Sequence, residues 1–193
     1  MYLTLDLSTK VTGWSKFSND GKLMKKGRII PDKDLDPFFK IHYITEQVRD
    51  LYTNVSEVII EDVFYGKNFD AVKLLARLSG AIIYSWINYK YKLPYFYVAS
   101  HARAVVGVNG HAHKSEIQVF VIDKYGFAGP ELIAKYNKRI EELKEENKQK
   151  KITRGKYKYQ MTKLSELIDE ETGIGEDVAD SIILGLAFKE EKL

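Results

Sequence analysis

The stretch "YLTLDLSTKVTGWSKFSNDGKLMKKGRII", residues 2 to 30, decides the fold. Its first six residues place a leucine at every second position, which is the period of a β-strand. The segments "VTGWSKF" and "LMKKGRII" have the composition of two further strands, and the turn signal "SNDGK" stands between them. The short connections predict a meander of three antiparallel strands.

Beyond the meander, strand patterns alternate with helix patterns. The predicted elements, in chain order, are a helix over 35–52, a buried strand centred on 58–60, a helix over about 69–89, a strand within 93–100, and short helices around 101–106 and 114–124. A meander followed by alternating helices and strands predicts an α/β fold. We expect a mixed five-stranded sheet flanked by helices.

Composition limits the class of protein. A chain of 193 residues suits one domain, and 45% hydrophobic residues without an apolar run of transmembrane length indicate a soluble globular protein. The amino-terminal segment lacks a signal-peptide pattern, and the absence of cysteine excludes disulfides and thiolate metal sites. We therefore expect a cytoplasmic protein with no membrane partner. The formal net charge of +3 is too small to identify a polyanionic partner.

Charge is unevenly distributed near the carboxyl end. Residues 129–163 contain eleven Lys or Arg against five Glu, whereas residues 164–193 contain nine acids against two lysines. Pro130 suits a first helical turn, and "RGKYKY" interleaves basic and aromatic residues. A charged run is most often a solvated face. We predict a single domain over 1–193 with a basic helical insertion at about 129–163.

Four carboxylates stand where three elements begin or end. Asp6 lies near the end of the first strand, Glu61 ends the strand "EVII", and Asp177 and Asp180 share one face at the start of "GEDVADSIILGLAF". Each position has an ordinary explanation, because strand ends are often polar and acids suit a helix's first turn. If the first and fourth strands are neighbours, the four acids converge and need cations to neutralise them. Two-metal phosphodiester cleavage uses such a cluster, and oxygen ligands suit Mg²⁺ or Mn²⁺.

Four motifs carry a family resemblance: "LDLSTKVTGW" (5–14), "VIIEDVFYGKN" (58–68), "ARAVVGVNGHAHKSEIQ" (102–118) and "DVADSIILGLAF" (177–188). Together they resemble the RuvC-type Holliday junction resolvases of the RNase H-like superfamily, in that family's order. The resemblance implies metal ligands at Asp6, Glu61, Asp177 and Asp180, which would hold two Mg²⁺ ions per active site, with Mn²⁺ as a substitute. It also implies that Lys114 acts near the scissile phosphate as a catalytic residue.

The resemblance further implies DNA contacts by Phe64, at the junction centre, and by Lys114. Lys67, Arg103 and His113 are additional candidates, because they lie on predicted loops or helix starts, where cations can meet phosphates. A second lysine of the bacterial enzymes aligns near Ala102, so either His101 or Arg103 could substitute for it. The long charged segment is more like viral members, which suggests a phage enzyme acting in a bacterial host. His111 and His113 could also be taken for metal ligands, but a His-x-His pair alone is a weak signal.

The helix over 69–89 bears on assembly. Its apolar residues cover more than one face: Val72, Leu74, Leu75, Leu78, Ile82, Ile83 and Trp86. Such a helix needs burial on two sides, either wholly inside the domain or against a second subunit. A four-way junction has two-fold symmetry, which a C2 homodimer would match.

The leading functional prediction is a magnesium-dependent endonuclease that resolves four-way DNA junctions by paired symmetric nicks. One alternative within the same fold is a broader nuclease for branched DNA or RNA–DNA hybrids. Another is a phosphotransferase of the actin and sugar-kinase type, since "DLSTKVTG" also resembles its first phosphate loop. The chain shows no second phosphate motif, so we expect no nucleotide cofactor. A junction-binding scaffold without catalysis is disfavoured by the four intact acids.

Overall fold

The computed structural model describes residues 1–63 and 68–193. The elements are β1 Tyr2–Asp6, β2 Thr12–Phe17, β3 Leu23–Ile29, α1 Pro37–Asp50, β4 Glu57–Glu61, α2 Phe69–Lys90, β5 Tyr95–Tyr97, α3 Ala99–Val105, α4 Lys114–Tyr125, α5 Pro130–Lys148, α6 Arg154–Thr172 and α7 Glu176–Lys192. The chain divides into two compact units, the first comprising 1–110 with 180–193 and the second 111–179. Helix α7 begins in the second unit and continues in the first.

The first unit contains a five-stranded sheet in the order β3-β2-β1-β4-β5. β1, β2 and β3 pair antiparallel, as the meander predicted, whereas β4 pairs parallel with both β1 and β5. The prediction of a mixed sheet of five strands is therefore confirmed. None of the helices in the described ranges combines the length and hydropathy that a transmembrane segment requires.

One face of the sheet packs against α1 and α2. Leu3 and Leu5 of β1 and the opposite residues Val58 and Ile60 of β4 are fully buried in this core, together with Trp86 of α2. Because successive strand residues point to opposite faces, the residues between these positions face the other way. The leucine alternation in the sequence thus selects which residues of β1 meet α1 and α2.

The opposite face of the sheet packs against α7. The Tyr2 hydroxyl donates to the Gly185 carbonyl at 3.0 Å, and the Thr4 hydroxyl donates to the Ser181 carbonyl at 2.7 Å. At Gly185 the helix approaches the sheet so closely that an added Cβ would lie 2.1 Å from the Phe17 ring. Higher residue numbers on α7 lie beside lower ones on β1, so the helix runs antiparallel to the strand. From Gly185 back to Asp180, α7 therefore approaches the carboxyl end of β1.

Helix α2 agrees with its predicted extent. It begins after Asn68, whose side chain accepts from the Ala71 amide, and it ends at Tyr91 in the left-handed region. Only one stripe of the helix is fully buried: Leu78, Ser79, Ile82 and Trp86. The other apolar residues named in the sequence analysis are half-buried within this chain.

The second unit is helical. Its core contains apolar residues of α4, α5 and α6: Val119, Ile122, Tyr136, Ile140, Leu143, Met161, Leu164 and Ile168. The buried Gln118 amide links three segments, because it donates to the carbonyls of Ser165 and Ile174 and accepts from the Ser165 hydroxyl. The charged segment 129–163 forms α5 and the first half of α6 within this unit.

Candidate active site

Two of the predicted carboxylates end neighbouring parallel strands. Leu5 of β1 lies opposite Ile60 of β4 in the register, so the next residues, Asp6 and Glu61, are adjacent at the carboxyl edge of the sheet. Neighbouring strands are separated by about 4.8 Å, which brings the two carboxylates within reach of one ion. Since Leu5 and Ile60 face α1 and α2, strand alternation directs Asp6 and Glu61 to the α7 face.

The third carboxylate reaches the same face from α7. Asp180 immediately precedes Ser181, whose carbonyl accepts from Thr4 and whose hydroxyl lies 2.7 Å from the Ser15 hydroxyl. These buried contacts fix this turn of α7 on β1 and β2. Thr4 and Asp6 share one face of β1, so Asp180 lies on the same face of the sheet as Asp6.

A part-buried ion pair joins α3 to Asp180. Arg103 Nη2 donates to Asp180 Oδ1 at 2.9 Å, and the two side chains are only 16% and 14% exposed. His101, the other candidate for the missing lysine, faces Glu191 instead, with 2.8 Å between its Nε2 and Oε1 of Glu191. Of the two candidates, Arg103 is therefore the one that contacts a predicted site carboxylate.

Three predicted site residues belong to the second unit. Asp177 is half-buried in the first turn of α7, and Lys114, the first residue of α4, pairs with Glu176. His113 is the N-cap of α4, where its Nδ1 accepts from the Ser115 amide. Burial lowers the pKa of His113 below its usual value, which favours the neutral ring. The capping role thus engages Nδ1 of the ring.

The remaining predicted DNA contacts, Phe64 and Lys67, lie outside the described residues. Within the described ranges, no group of three or more acidic or histidine side chains is already gathered to hold a metal ion. The pair His111 and His113 thus gains no support as a metal site.

The donor set still suits a hard divalent cation. Asp6, Glu61 and Asp180 offer only carboxylate oxygens, which Mg²⁺ and Mn²⁺ prefer, and they lie on one face of one sheet. A cationic group, the Arg103 guanidinium, already lies against Asp180. The donor chemistry of these residues therefore fits a divalent ion, and their elements place them on one face of the sheet.

The sequence did not reveal which side chains hold α3 in place. The Tyr97 hydroxyl donates to Glu191 Oε2 at 2.7 Å, and the Tyr97 and His101 rings stack with centroids 6.0 Å apart. The hydrogen bond joins the end of β5 to the last turn of α7, and the ring stacking joins β5 to the start of α3. The only sequence signal was the presence of His101 and Arg103 beside the position of the expected lysine.

Comparison with known families decides the identity of this arrangement. The sequence model of the family described as "Crossover junction endodeoxyribonuclease RuvC" matches residues 3–125, more than half of the chain. The chain belongs to the RuvC family. It is accordingly an endodeoxyribonuclease of the crossover junction class, and the resemblance stated from the sequence is confirmed. This membership favours a nuclease over the phosphotransferase alternative.

Two solved structures share the RuvC fold with this chain. The first is Thermus thermophilus RuvC, with a TM-score of 0.61 and 12% identity over 98% of this chain and 93% of that one. The second is T. thermophilus RuvC in complex with a Holliday junction substrate, with a TM-score of 0.58 and 9% identity over 98% and 92%. At these identities the likeness shows the fold, and it confirms the RNase H-like α/β prediction. No curated protein matches the sequence.

Proposed function

We propose that this protein is a magnesium-dependent resolvase that binds four-way DNA junctions as a homodimer and nicks two strands at symmetric positions. The observation that carries the proposal is the adjacency of Asp6 and Glu61 on parallel strands, facing the helix that bears Asp180, in a chain of the RuvC family. The likeness to an RuvC structure described with a Holliday junction supports the substrate class.

In this proposal, Asp6, Glu61, Asp177 and Asp180 hold two Mg²⁺ ions, for which Mn²⁺ can substitute. When bound, the ions supply an activated water and stabilise the leaving oxygen of the phosphodiester. The chain's own contribution is rigidity, because the two strands are paired in register and the α7 turn at Ser181 is held by buried hydrogen bonds. Divalent-metal dependence is general in the RuvC family, and the all-oxygen donor set agrees with it.

Lys114 is proposed to bind the phosphate beside the cut and to orient the reacting groups. Its side chain is 54% exposed and its ammonium group pairs with Glu176, next to Asp177, so Lys114 could exchange this carboxylate for an incoming phosphate. The cost of releasing such an exposed pair is small, roughly 0–1 kcal/mol. Phe64 would open stacked bases at the junction centre, while Lys67, Arg103 and His113 would contact the DNA backbone.

The basic segment in the second unit is proposed to track the junction arms through phosphates. Its loop and first α6 turn expose five cationic side chains: Lys150, Lys151, Arg154, Lys156 and Lys158. Such contacts add affinity with little sequence information, because every phosphate carries the same charge.

Helix α2 supports the proposed homodimer. Outside its buried stripe, Phe69 and Tyr84 are 66% and 72% exposed, and Leu74, Leu75 and Ile83 are half-buried within one chain. A second copy would cover this apolar surface and supply the second active site that paired nicks require. Sedimentation or light scattering of the purified protein, without DNA, tests this part of the proposal.

The test of the activity uses three end-labelled substrates: a four-way junction, a linear duplex of the same sequence and an RNA–DNA hybrid. Each is incubated with and without Mg²⁺. We expect paired nicks confined to the junction and dependent on the metal. Cutting of the RNA–DNA hybrid at a similar rate would favour the broader nuclease, and binding to the junction without cutting would favour a scaffold.

A further inference from the structure

The Arg103–Asp180 ion pair differs in environment from the exposed ion pairs of the first unit. Its two side chains are 16% and 14% exposed, whereas those of the Arg49–Glu46 pair on α1 are 63% and 49% exposed. Water screens this part-buried pair less than an exposed one, so the attraction between the guanidinium and the carboxylate is stronger than in a surface pair.

Both partners of this pair stand on fixed supports. Arg103 belongs to α3, which contacts α7 through His101 and Glu191, and Tyr97 at the end of β5 donates to the same carboxylate. Asp180 precedes Ser181, whose carbonyl and hydroxyl bond to β1 and β2. The contact at 2.9 Å therefore joins two anchored elements and is not a chance meeting of mobile surface chains.

The oxygen that Arg103 holds belongs to a carboxylate assigned to the metal. A guanidinium and a divalent ion are both cations and compete for the same carboxylate. In the described part of the chain, Asp180 is not gathered with two other acidic groups into a metal-holding cluster, and its Oδ1 is directed to Arg103. Arg103 therefore holds a carboxylate oxygen for which a divalent ion at Asp180 would compete.

We propose that Arg103 is a positioning residue that occupies Asp180 in the metal-free enzyme, so that a divalent ion must displace its guanidinium before Asp180 joins Asp6 and Glu61. The inference rests on the proposed metal site and adds a determinant of its affinity. The wild-type protein consequently binds divalent ions more weakly than its carboxylates alone would allow. A merely structural Arg103 would have the opposite effect, since its loss would loosen the site.

The test measures Mn²⁺ binding to the full-length protein by titration calorimetry, without DNA and without any cleavage step. Arg103→Gln should bind Mn²⁺ about tenfold more tightly than wild type, which corresponds to about 1.4 kcal/mol. Arg103→Lys should fall between the two, because an ammonium lacks the planar fork that grips a carboxylate. Arg49→Gln removes an exposed arginine of the same unit and should leave the affinity unchanged.

A double-mutant cycle tests whether the effect passes through Asp180. In an Asp180→Asn background, Arg103→Gln should no longer tighten Mn²⁺ binding. If Arg103→Gln and Arg103→Lys both bind Mn²⁺ with unchanged or lower affinity than wild type, the inference is overturned. It is also overturned if Arg103→Gln raises the Mn²⁺ affinity equally in the wild-type and the Asp180→Asn backgrounds. Thermal denaturation shows whether each variant is folded. If Arg103→Gln is not folded, the Mn²⁺ affinity of Arg103→Lys decides the test.

The same titration separates this inference from the proposed function. Asp6→Asn and Asp180→Asn should each weaken Mn²⁺ binding strongly if the carboxylates hold the metal. If the Mn²⁺ affinity falls in those two variants but does not rise in Arg103→Gln, the Arg103 inference is rejected and the proposed metal site is retained. Wild-type binding that neither Asp variant weakens rejects the metal site itself, and the Arg103 inference with it.

Discussion

The charged side chains of the two units differ in burial and in how firmly the fold fixes them. In the first unit, Asp6, Glu61 and Asp180 are half-buried at the ends of paired strands and on a helix turn fixed by buried hydrogen bonds. In the second unit, the cations of the 150–158 segment are exposed at a helix start. Fixed, partly desolvated carboxylates suit chemistry, which needs defined geometry, whereas exposed cations suit binding to a uniform phosphate backbone.

The largest effect is expected from Glu61→Gln, which removes one fixed carboxylate of the first unit. Cleavage of a four-way junction in Mg²⁺ should fall by more than about a hundredfold, since even the outer partners of metal ligands cost about 10–100-fold. Junction binding should survive, because the substitution removes no phosphate contact. Gel-shift and cleavage assays on the same preparation measure the two effects.

Glu57→Gln is the matched control, because Glu57 begins the same strand on the same face of the sheet. Its carboxylate pairs with Lys92 at the opposite edge, away from Asp6. This variant should cleave within about twofold of wild type, the change expected when only a partly exposed ion pair is removed. Retained Mg²⁺-dependent nicking by Glu61→Gln, or equal loss in both variants, would contradict the assignment.

The second prediction concerns the exposed cations. Replacing Lys150, Lys151, Arg154, Lys156 and Lys158 with neutral residues should flatten the salt dependence of junction binding. The slope of log affinity against log salt changes by about 0.9 for each duplex phosphate that the protein no longer neutralises, so three such phosphates change it by about 2.7. Preference for junction over duplex should change much less. An unchanged slope would show that the segment is an ordinary solvated surface that does not contact DNA phosphates.

The third prediction concerns the support under Asp180. Gly185→Ala should lower the free energy of unfolding by about 1–3 kcal/mol, the usual cost of forcing extra volume into a packed core. The reason is the approach of an added Cβ to 2.1 Å from the Phe17 ring. Gly155→Ala near the start of α6 meets nothing within 4 Å and should be neutral or slightly stabilising. Urea denaturation of the two variants makes the comparison, and equal stabilities would reject the close packing.

Sequence reasoning predicted the elements of the first unit well because its signals are local. The alternating leucines of β1 and the 3.6-residue period of α1 and α2 each lie within a short window, and the structure confirms all three elements. Chain order and the parallel pairing of β4 with β1 then place Asp6 beside Glu61. The sequence predicted this placement on the condition that the first and fourth strands are neighbours, and the structure shows that they are.

The contacts that orient the site could not be predicted in the same way. Arg103 and Asp180 are 77 residues apart in sequence, and their pairing depends on how α3 and α7 are fixed to the sheet. The division of the chain within α7 had no composition signal either, because residues 175 to 188 form one continuous apolar helix pattern. Long-range packing, which periodicity does not encode, sets both features.

The smallest expected effect concerns acid sensitivity of the second unit. The pKa of His113 is lowered by burial, so the unfolded chain binds its proton more readily than the folded one. The contribution of the neutral ring to the free energy of unfolding is therefore present above the pKa of the unfolded chain, about 6.5, and is lost as the pH falls below it. His113→Asn keeps a good N-cap without a titrating ring. Its melting temperature should fall less than that of wild type between pH 7.5 and pH 5.5, and an equal fall would contradict this role of the ring.

Paired nicking by the carboxylate site is measured most directly on a four-way junction extruded as a cruciform from a supercoiled plasmid. In Mg²⁺, two symmetric nicks made within one encounter convert the circle into a linear molecule, whereas one nick leaves a relaxed open circle. We expect linear DNA as the main early product from wild type and none from Glu61→Gln. Accumulation of open circles, or cutting that does not require the cruciform, would contradict the proposed paired cleavage.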